Sequence, residues 1–273
     1  MESYQIVEPV RPVAPYIGGK RNLANRLVER IEAIPHACYV EAFVGMGGVF
    51  FRRRRRPRSE VINDWNREVA TLFRILQRHF TAFVDMLRYQ LTSRPEFTRL
   101  AETDPVTLTD LERAARFLYL QRTAFGGKVS GRNFGVSPDN AARFDVTRLV
   151  PMLQDVHERL AGVVIECLPY AEAIARYDRP TTLFYLDPPY WGSETDYGEG
   201  MFGRADFTRL AELLRGIKGR FVLSINDRPE VRRIFAGFKL EAVTTTYTIA
   251  GGKEGKRNAA ELIVTGGGRR RSR

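Results

Sequence analysis

The chain has 273 residues, 44% of them hydrophobic and 11% aromatic, and a formal net charge of +11. That length and composition suit one large domain, or a core carrying a smaller insertion, with ample apolar material to bury. They exclude a helical membrane protein, since no apolar run approaches the ~20 residues of a span, and a disulfide- or zinc-stapled scaffold, since Cys38 and Cys167 are the only cysteines and lie far apart.

Residues 1–11 lack the apolar stretch of a signal peptide, so a cytoplasmic, DNA-associated protein is expected. Both thiols are expected to be reduced and buried. His36, His79 and His157 have no partner at ligand spacing, and no metal is assigned. The positive excess is segregated: residues 164–265 are neutral by count, while residues 52–56 are five consecutive arginines and the last eight residues hold four more. A basic excess of this kind favours a polyanion, with affinity that falls as salt rises.

In chain order, residues 15–20 read P-Y-I-G-G-K and lead into an amphipathic helix over 21–34, with Leu23, Leu27, Val28, Ile31 and Ile34 on one face. Gly18 and Gly19 allow close approach of a ligand, and Lys20 at a helix start opposes the dipole, which hints at another task. Residues 38–44 read as a strand running into F-V-G-M-G-G, the first strand-turn-helix unit of a nucleotide-binding sheet. Its spacing is not G-x-G-x-x-G and no phosphate-binding Lys-Ser/Thr follows, so a nucleoside or amino-acid moiety suits it better than a pyrophosphate. Residues 60–63 read as the second strand, ending in Asp64, which is placed to hold ribose hydroxyls, to cap the next segment, or both.

Residues 66–160 change to helical spacing, with a capping box at Thr109-x-x-Glu112. Within that block, residues 121–138 (Q-R-T-A-F-G-G-K-V-S-G-R-N-F-G-V-S-P) are basic, glycine-rich and free of acids. Such a loop or hairpin can enter a DNA groove and read base edges; Arg122, Lys128, Arg132 and Asn133 are its DNA-binding candidates. Residues 163–167 read as the next strand. Asp206 is expected to cap a helix through Leu210, Leu213, Leu214 and Ile217, ahead of a strand over 221–225. Residues 240–249 and 260–264 alternate like a hairpin joined by a Gly/Lys-rich loop over 250–258, and residues 266–273 look disordered.

The most informative stretch is 181–190, T-T-L-F-Y-L-D-P-P-Y. Its apolar run reads as a buried strand that Pro188 and Pro189 must end, leaving Asp187 at the carboxyl end, where open α/β sheets bind ligands. A carboxylate, the fixed Pro188 carbonyl and the Tyr190 ring together suit an aromatic amine: two acceptors take its N–H hydrogens while the ring stacks on its plane.

In this order P-Y-I-G-G-K, E-A-F-V-G-M-G-G, N-D, an inserted helical block, Y-L-Q-R-T-A-F-G-G and L-D-P-P-Y resemble the Dam-like DNA adenine-N6 methyltransferases of the amino-alpha group (D12 class). The resemblance implies an α/β fold, a Rossmann-like S-adenosylmethionine-dependent methyltransferase sheet with an inserted, mainly helical DNA-recognition lobe. The catalytic domain would be 1–66 plus 163–265, the target-recognition domain 67–162, and 266–273 a disordered basic tail. It places S-adenosylmethionine against Tyr16, Lys20, Glu41, Phe43, Gly45, Gly47, Asp64 and Asp187. Asp187, Pro188, Pro189 and Tyr190 become the catalytic set for a flipped adenine. Double-stranded DNA is the implied partner; a cognate restriction endonuclease in the same system, an orphan role and a phage role all stay open, and a monomer would suffice. Cys38 and Cys167 lie outside any Pro-Cys turn, so cytosine-C5 chemistry is disfavoured. The recognition hairpin departs from the family pattern, so the target sequence is not inherited from GATC-specific relatives. The alternatives are an N4-cytosine DNA or base-amine RNA methyltransferase of the same fold, and a DNA-binding module without activity.

Overall fold

The computed structural model describes residues 4–16, 20, 22–127, 129, 131–135, 141–194, 200–248 and 256–268, with side chains except at 245–248 and 256–259. In chain order its elements begin with β1 (Gln5–Ile6), α1 (Ala24–Glu32), β2 (Cys38–Glu41), β3 (Arg55–Arg56) and β4 (Ser59–Asn63). A helical stretch follows: α2 (Arg67–Arg78), α3 (Phe80–Leu87), α4 (Arg94–Glu102), α5 (Asp110–Thr123) and α6 (Val146–Arg159). The chain then returns to the sheet as β5 (Val164–Glu166), α7 (Tyr170–Tyr177), β6 (Thr182–Leu186), α8 (Arg204–Gly216), β7 (Arg220–Asn226), α9 (Pro229–Ile234), β8 (Lys239–Thr248) and β9 (Lys256–Gly267).

The main sheet has seven strands in the order β5-β4-β2-β6-β7-β9-β8. The first five are parallel, and β9 joins β7 antiparallel, as β8 joins β9. From β2 the chain steps outward to β4 and β5, then crosses to β6 and β7 on the other side. The switch point therefore lies between β2 and β6, paired with Glu41 opposite Tyr185. Crevices at such points, outside the carboxyl ends of the strands, are where these sheets bind ligands.

All five side chains of β6 are buried, as a strand covered on both faces requires. Alternation divides them. Leu183 and Tyr185 pack with Tyr39, Leu27, Phe50 and Phe73 on the α1 and α2 side, while Phe184 and Leu186 pack with Val40, Phe207 and Leu210 on the α7 and α8 side. Among the described residues no helix is long and apolar enough to cross a membrane.

Several expectations are corrected here. The first helix begins at Ala24 rather than 21. The strand expected over 38–44 stops at Glu41, because residues 42–49 turn with Gly45 and Gly47 at positive φ. Asp64 is not an N-cap: Asn66 caps α2, its side chain accepting from Glu68 N at 2.9 Å. Asp206 is the third residue of α8, accepting from Gly203 N at 2.8 Å. The second hairpin strand starts at Lys256, inside the expected loop, and runs through Gly266 and Gly267, within the stretch expected to be disordered. Cys38 is only half-buried and Cys167 is exposed. The capping box at Thr109 and Glu112 forms as the spacing implies.

The arginine run is no uniform solvated face. Arg53 is fully buried, its guanidinium 3.6 Å from the centroid of the Tyr39 ring and 2.8 Å from Glu60. Arg159 reaches the same carboxylate with two bonds of 2.7 and 2.8 Å, and Arg56 approaches it at 3.4 Å. Arg55 and Arg56 form β3, which pairs with β1, and Glu32 accepts from the backbone N–H groups of Arg54 and Arg55 at 2.6 and 3.0 Å. Only Arg54 and Arg55 of the run remain exposed.

Candidate active site

The carboxyl ends of β2, β4 and β6 converge on a cavity of about 690 Å³. Asp187 follows β6 directly, and its side chain keeps 19% exposure. Lys20 Nζ lies 2.6 Å from Asp187 Oδ1, and Ser224 Oγ on β7 donates to the same oxygen at 3.2 Å. Because Ser224 gives its proton to Asp187, the Tyr185 hydroxyl, 2.8 Å away, must be the donor to Ser224. Burial raises the Asp187 carboxyl to about 6, against the opposing pull of Lys20, and Glu261 pushes in the same direction as burial.

Pro188 and Pro189 are buried, and the backbone of Trp191 just beyond them is held at both its N–H and its carbonyl by one side chain. Asn226 Oδ1 accepts from Trp191 N at 2.9 Å, and its Nδ2 donates to Trp191 O at 3.0 Å. The Tyr190 hydroxyl accepts from Lys20 Nζ at 2.7 Å and donates to Glu261. The Lys20 ammonium also lies over the Tyr190 ring, 4.1 Å from its centroid.

On the other side of the switch point the glycine turn is fixed by contacts rather than by looseness. A Cβ on Gly45 would fall 2.9 Å from the Tyr16 ring, and one on Gly47 would strike the Phe51 ring; φ is +50° and +71° at these two positions. Asp64 ties this turn to the start of α2, accepting from Gly45 N at 2.8 Å and Asn66 N at 2.9 Å. Those bonds occupy two of the roughly four acceptor positions of a carboxylate. Burial raises Asp64 to about 6, the two backbone donors opposing it. Glu41, at the end of β2, accepts from the Tyr39 hydroxyl at 2.7 Å, and burial above all raises it to about 8. Phe43 stacks on Tyr170 at 5.6 Å and meets Phe202 edge-on at 6.0 Å, closing one wall with aromatic carbon.

Of the sequence candidates, Tyr16, Lys20, Glu41, Phe43, Gly45, Asp64 and Asp187 line this one cavity, together with Pro189. Gly47 does not line it and acts through Phe51; Tyr190 lies beside Lys20. Tyr170, Ser224 and Asn226 escaped sequence reasoning as site residues: each sits in an element that reads as plain core or strand end.

The DNA-binding candidates fare differently. Arg122 lines the far end of the cavity, where its guanidinium donates to Val13 O at 2.6 Å and Arg143 O at 3.0 Å, and burial lowers its pKa. Arg132 is half-buried, 6.0 Å from the Phe117 ring, and burial lowers it to about 10. Asn133 is exposed, and its carbonyl accepts from Phe125 N at 2.8 Å beside the Ala124–Phe134 bridge that opens the hairpin. Lys128, Gly18 and Gly19 lie outside the described residues. Neighbouring Gln121 donates to Pro15 O at 2.9 Å, so α5 anchors the segment that delivers Tyr16 and Lys20 to the cavity.

A family model described as D12 class N6 adenine-specific DNA methyltransferase matches residues 16–249. Type II methyltransferase M.CviBI of Paramecium bursaria Chlorella virus NC1A is 23% identical over 233 residues, covering 84% of this chain and 88% of the relative. Type II methyltransferase M1.LlaDCHI of Lactococcus lactis subsp. cremoris is 25% identical over 275 residues, covering 94% and 95%. The DNA adenine methylase of Escherichia coli (strain K12) is 25% identical over 277 residues, covering 93% and 94%.

Proposed function

We propose that this chain, which belongs to the D12 class of N6 adenine-specific DNA methyltransferases, transfers a methyl group from S-adenosylmethionine to N6 of an adenine extruded from duplex DNA at a specific sequence. The observation that carries the reading is the position of Asp187, at the carboxyl end of β6 and inside the same cavity as Glu41 and Asp64. The residues present suit the donor. The carboxylates of Asp64 and Asp187, with Glu41 beside them, favour its cationic centres, the open acceptor positions of Asp64 suit ribose hydroxyls, and the Phe43, Tyr170 and Phe202 wall suits a purine. When bound, S-adenosylmethionine supplies an electrophilic methyl group on a sulfonium.

The chain's own residues supply the rest. An adenine N6 lone pair is delocalised into the ring and attacks poorly. Accepting its two N–H hydrogens at Asp187 and at the Pro188 carbonyl favours a more tetrahedral nitrogen and localises that pair. Asp187 acts in its ionised form, and the positive charge developing on N6 strengthens its bond in the transition state. The buried prolines and the Asn226 clasp hold the acceptors in place, so orientation is built in before the base arrives. Tyr190 supports the base plane. No covalent intermediate with the protein is required.

Residues 67–162 form the target-recognition domain in this reading, and residues 1–66 with 163–265 the catalytic one. The basic stretch after α5 approaches the groove, with Asn133 its exposed polar group among the described residues, Arg132 packed near the Phe117 ring, and Arg122 bonded to Val13 O and Arg143 O. One chain carries all the parts, so a monomer suffices. The type II names of two relatives make a cognate endonuclease the natural companion.

The test is transfer of labelled methyl to duplex DNA, followed by digestion to nucleosides. N6-methyladenine is the expected product. Asp187→Ala and Asp187→Asn, folded to the same melting temperature within a few degrees, should lose about 10²–10³-fold in single-turnover rate. Label on cytosine, or an unaffected rate in both variants, overturns the reading.

A further inference from the structure

Glu261 is the most deeply buried acid near the reaction centre, with no exposed surface, and it comes from β9, outside every stretch that the reaction itself uses. Its register partner is Asn226, the residue that clasps the turn at Trp191. Its side chain accepts the hydroxyl proton of Tyr190.

Proton counting fixes the polarity of this group. Lys20, itself only 3% exposed, can only donate, so the Tyr190 oxygen must accept from it. The single hydroxyl proton is then directed to Glu261, which as a carboxylate only accepts. Lys20 meanwhile holds Asp187 at 2.6 Å. One ammonium thus joins the acceptor of the target amine to the ring that supports the target base, and Glu261 anchors the far end.

Resting on the methyltransferase reading above, we propose that Glu261 is a positioning residue for methyl transfer: by taking the Tyr190 hydroxyl proton it fixes the ring against which the extruded base lies and holds Lys20 between Tyr190 and Asp187. It touches neither base nor donor. The charged and titratable groups facing Asp187 are Lys20 ahead of α1, Glu41 on β2, Tyr185 on β6 and Glu261 on β9. Of these, Glu261 is the acid that opposes Asp187 ionisation from beyond the tyrosine, which gives its charge a separate signature from its hydrogen bond.

Single-turnover rates of Glu261→Ala, Glu261→Gln, Tyr190→Phe and the Glu261→Ala/Tyr190→Phe double variant test this. Loss of a buried bond to a charged acceptor predicts a fall of about tenfold or more for Glu261→Ala, with the KM for DNA little changed. In the Tyr190→Phe background the same change should add almost nothing, since the bond is already gone. Glu261→Gln keeps an acceptor for the hydroxyl, so its rate at pH 8 should stay within about threefold of the parent. Its acid limb should move to lower pH, because a like charge near Asp187 has been removed. Equal losses in both backgrounds, or no loss in either, overturn the proposal. Should Glu261→Ala fail to fold, the Glu261→Gln profile decides alone, and an unmoved acid limb overturns it. Asp187→Ala run in parallel separates the two levels: a dead Asp187 variant beside silent Glu261 variants sinks the positioning role and leaves the reaction standing.

Discussion

Strand β4 carries an acid near each end, and the two are compensated in opposite ways. Near its start Glu60 is enclosed by the guanidinium groups of Arg53, Arg56 and Arg159, two of them also laid over the aromatic rings of Tyr39 and Phe50. Just past its end Asp64 is held by two backbone N–H groups, and burial raises its pKa. One strand therefore links a cluster rich in cation to a cavity wall rich in acid, with Glu60 and Asp64 only four residues apart along the chain. The first arrangement satisfies its charge internally and has nothing left to offer a ligand. The second leaves negative charge incompletely answered, and a cationic donor or an amine can answer it.

The hardest test of that contrast is Glu60→Ala. It strands three guanidinium groups, two of them almost wholly buried, beside an empty site. Removing one partner from a buried ionic cluster is destabilising by about 3–5 kcal/mol. Urea unfolding should show that loss, whereas the single-turnover rate per folded molecule, measured cold with an excess of donor, should stay near that of the parent. A rate loss without a stability loss would place Glu60 with the reactive acids and erase the distinction.

The same contrast explains what could be read in advance. The strand over 182–186 and its stop were legible because an apolar run followed by Asp-Pro-Pro has few other outcomes. The turn at Gly45 was legible as a tight approach, although the sequence left open that the approaching groups are the protein's own Tyr16 and Phe51 rings. The Glu60 cluster was not legible. Arg159 lies 99 residues away, and Arg53 belongs to a run that reads as charge offered to a polyanion until the β1–β3 pairing turns it inward. Arg122 misled for a related reason: acid-free composition marks a basic hairpin, but only packing shows that this guanidinium bonds the carbonyl of Val13. Glu261 joins Tyr190 across 71 residues, a pairing that alternation along a strand cannot encode.

A second test sharpens the acid side of the comparison. Asp187 and Asp64 are both raised to about 6, yet the proposed reaction gives them different tasks. Protonation takes away the negative charge and part of the acceptor capacity of each, so both weaken as pH falls through that value. With donor saturating, kcat should fall about tenfold for each pH unit below 6 as Asp187 takes up its proton. The KM for donor should rise over the same window as Asp64 does. A flat kcat from pH 5 to 8 would mean that the carboxyl at the end of β6 is not required as an anion.

The smallest expected effect concerns Glu41, which burial raises to about 8 with Asp187 adding to the shift. Between the ordinary value near 4.5 and about 8 the folded chain therefore holds a proton that the unfolded chain releases. Stability falls as pH rises across that window and levels off above it. Glu41→Gln removes the penalty while its amide oxygen can still accept from Tyr39, so the variant should match the parent at pH 4 and exceed it in stability at pH 9 in urea unfolding. Above about pH 8 the same change also deletes an anion from the cavity, and there donor affinity should weaken severalfold. A stabilised protein that binds its donor less well is what an acid held at a cost for function predicts. A variant no more stable at pH 9 would show instead that Glu41 is as well compensated as Glu60, and that the two ends of the sheet differ less than their partners imply.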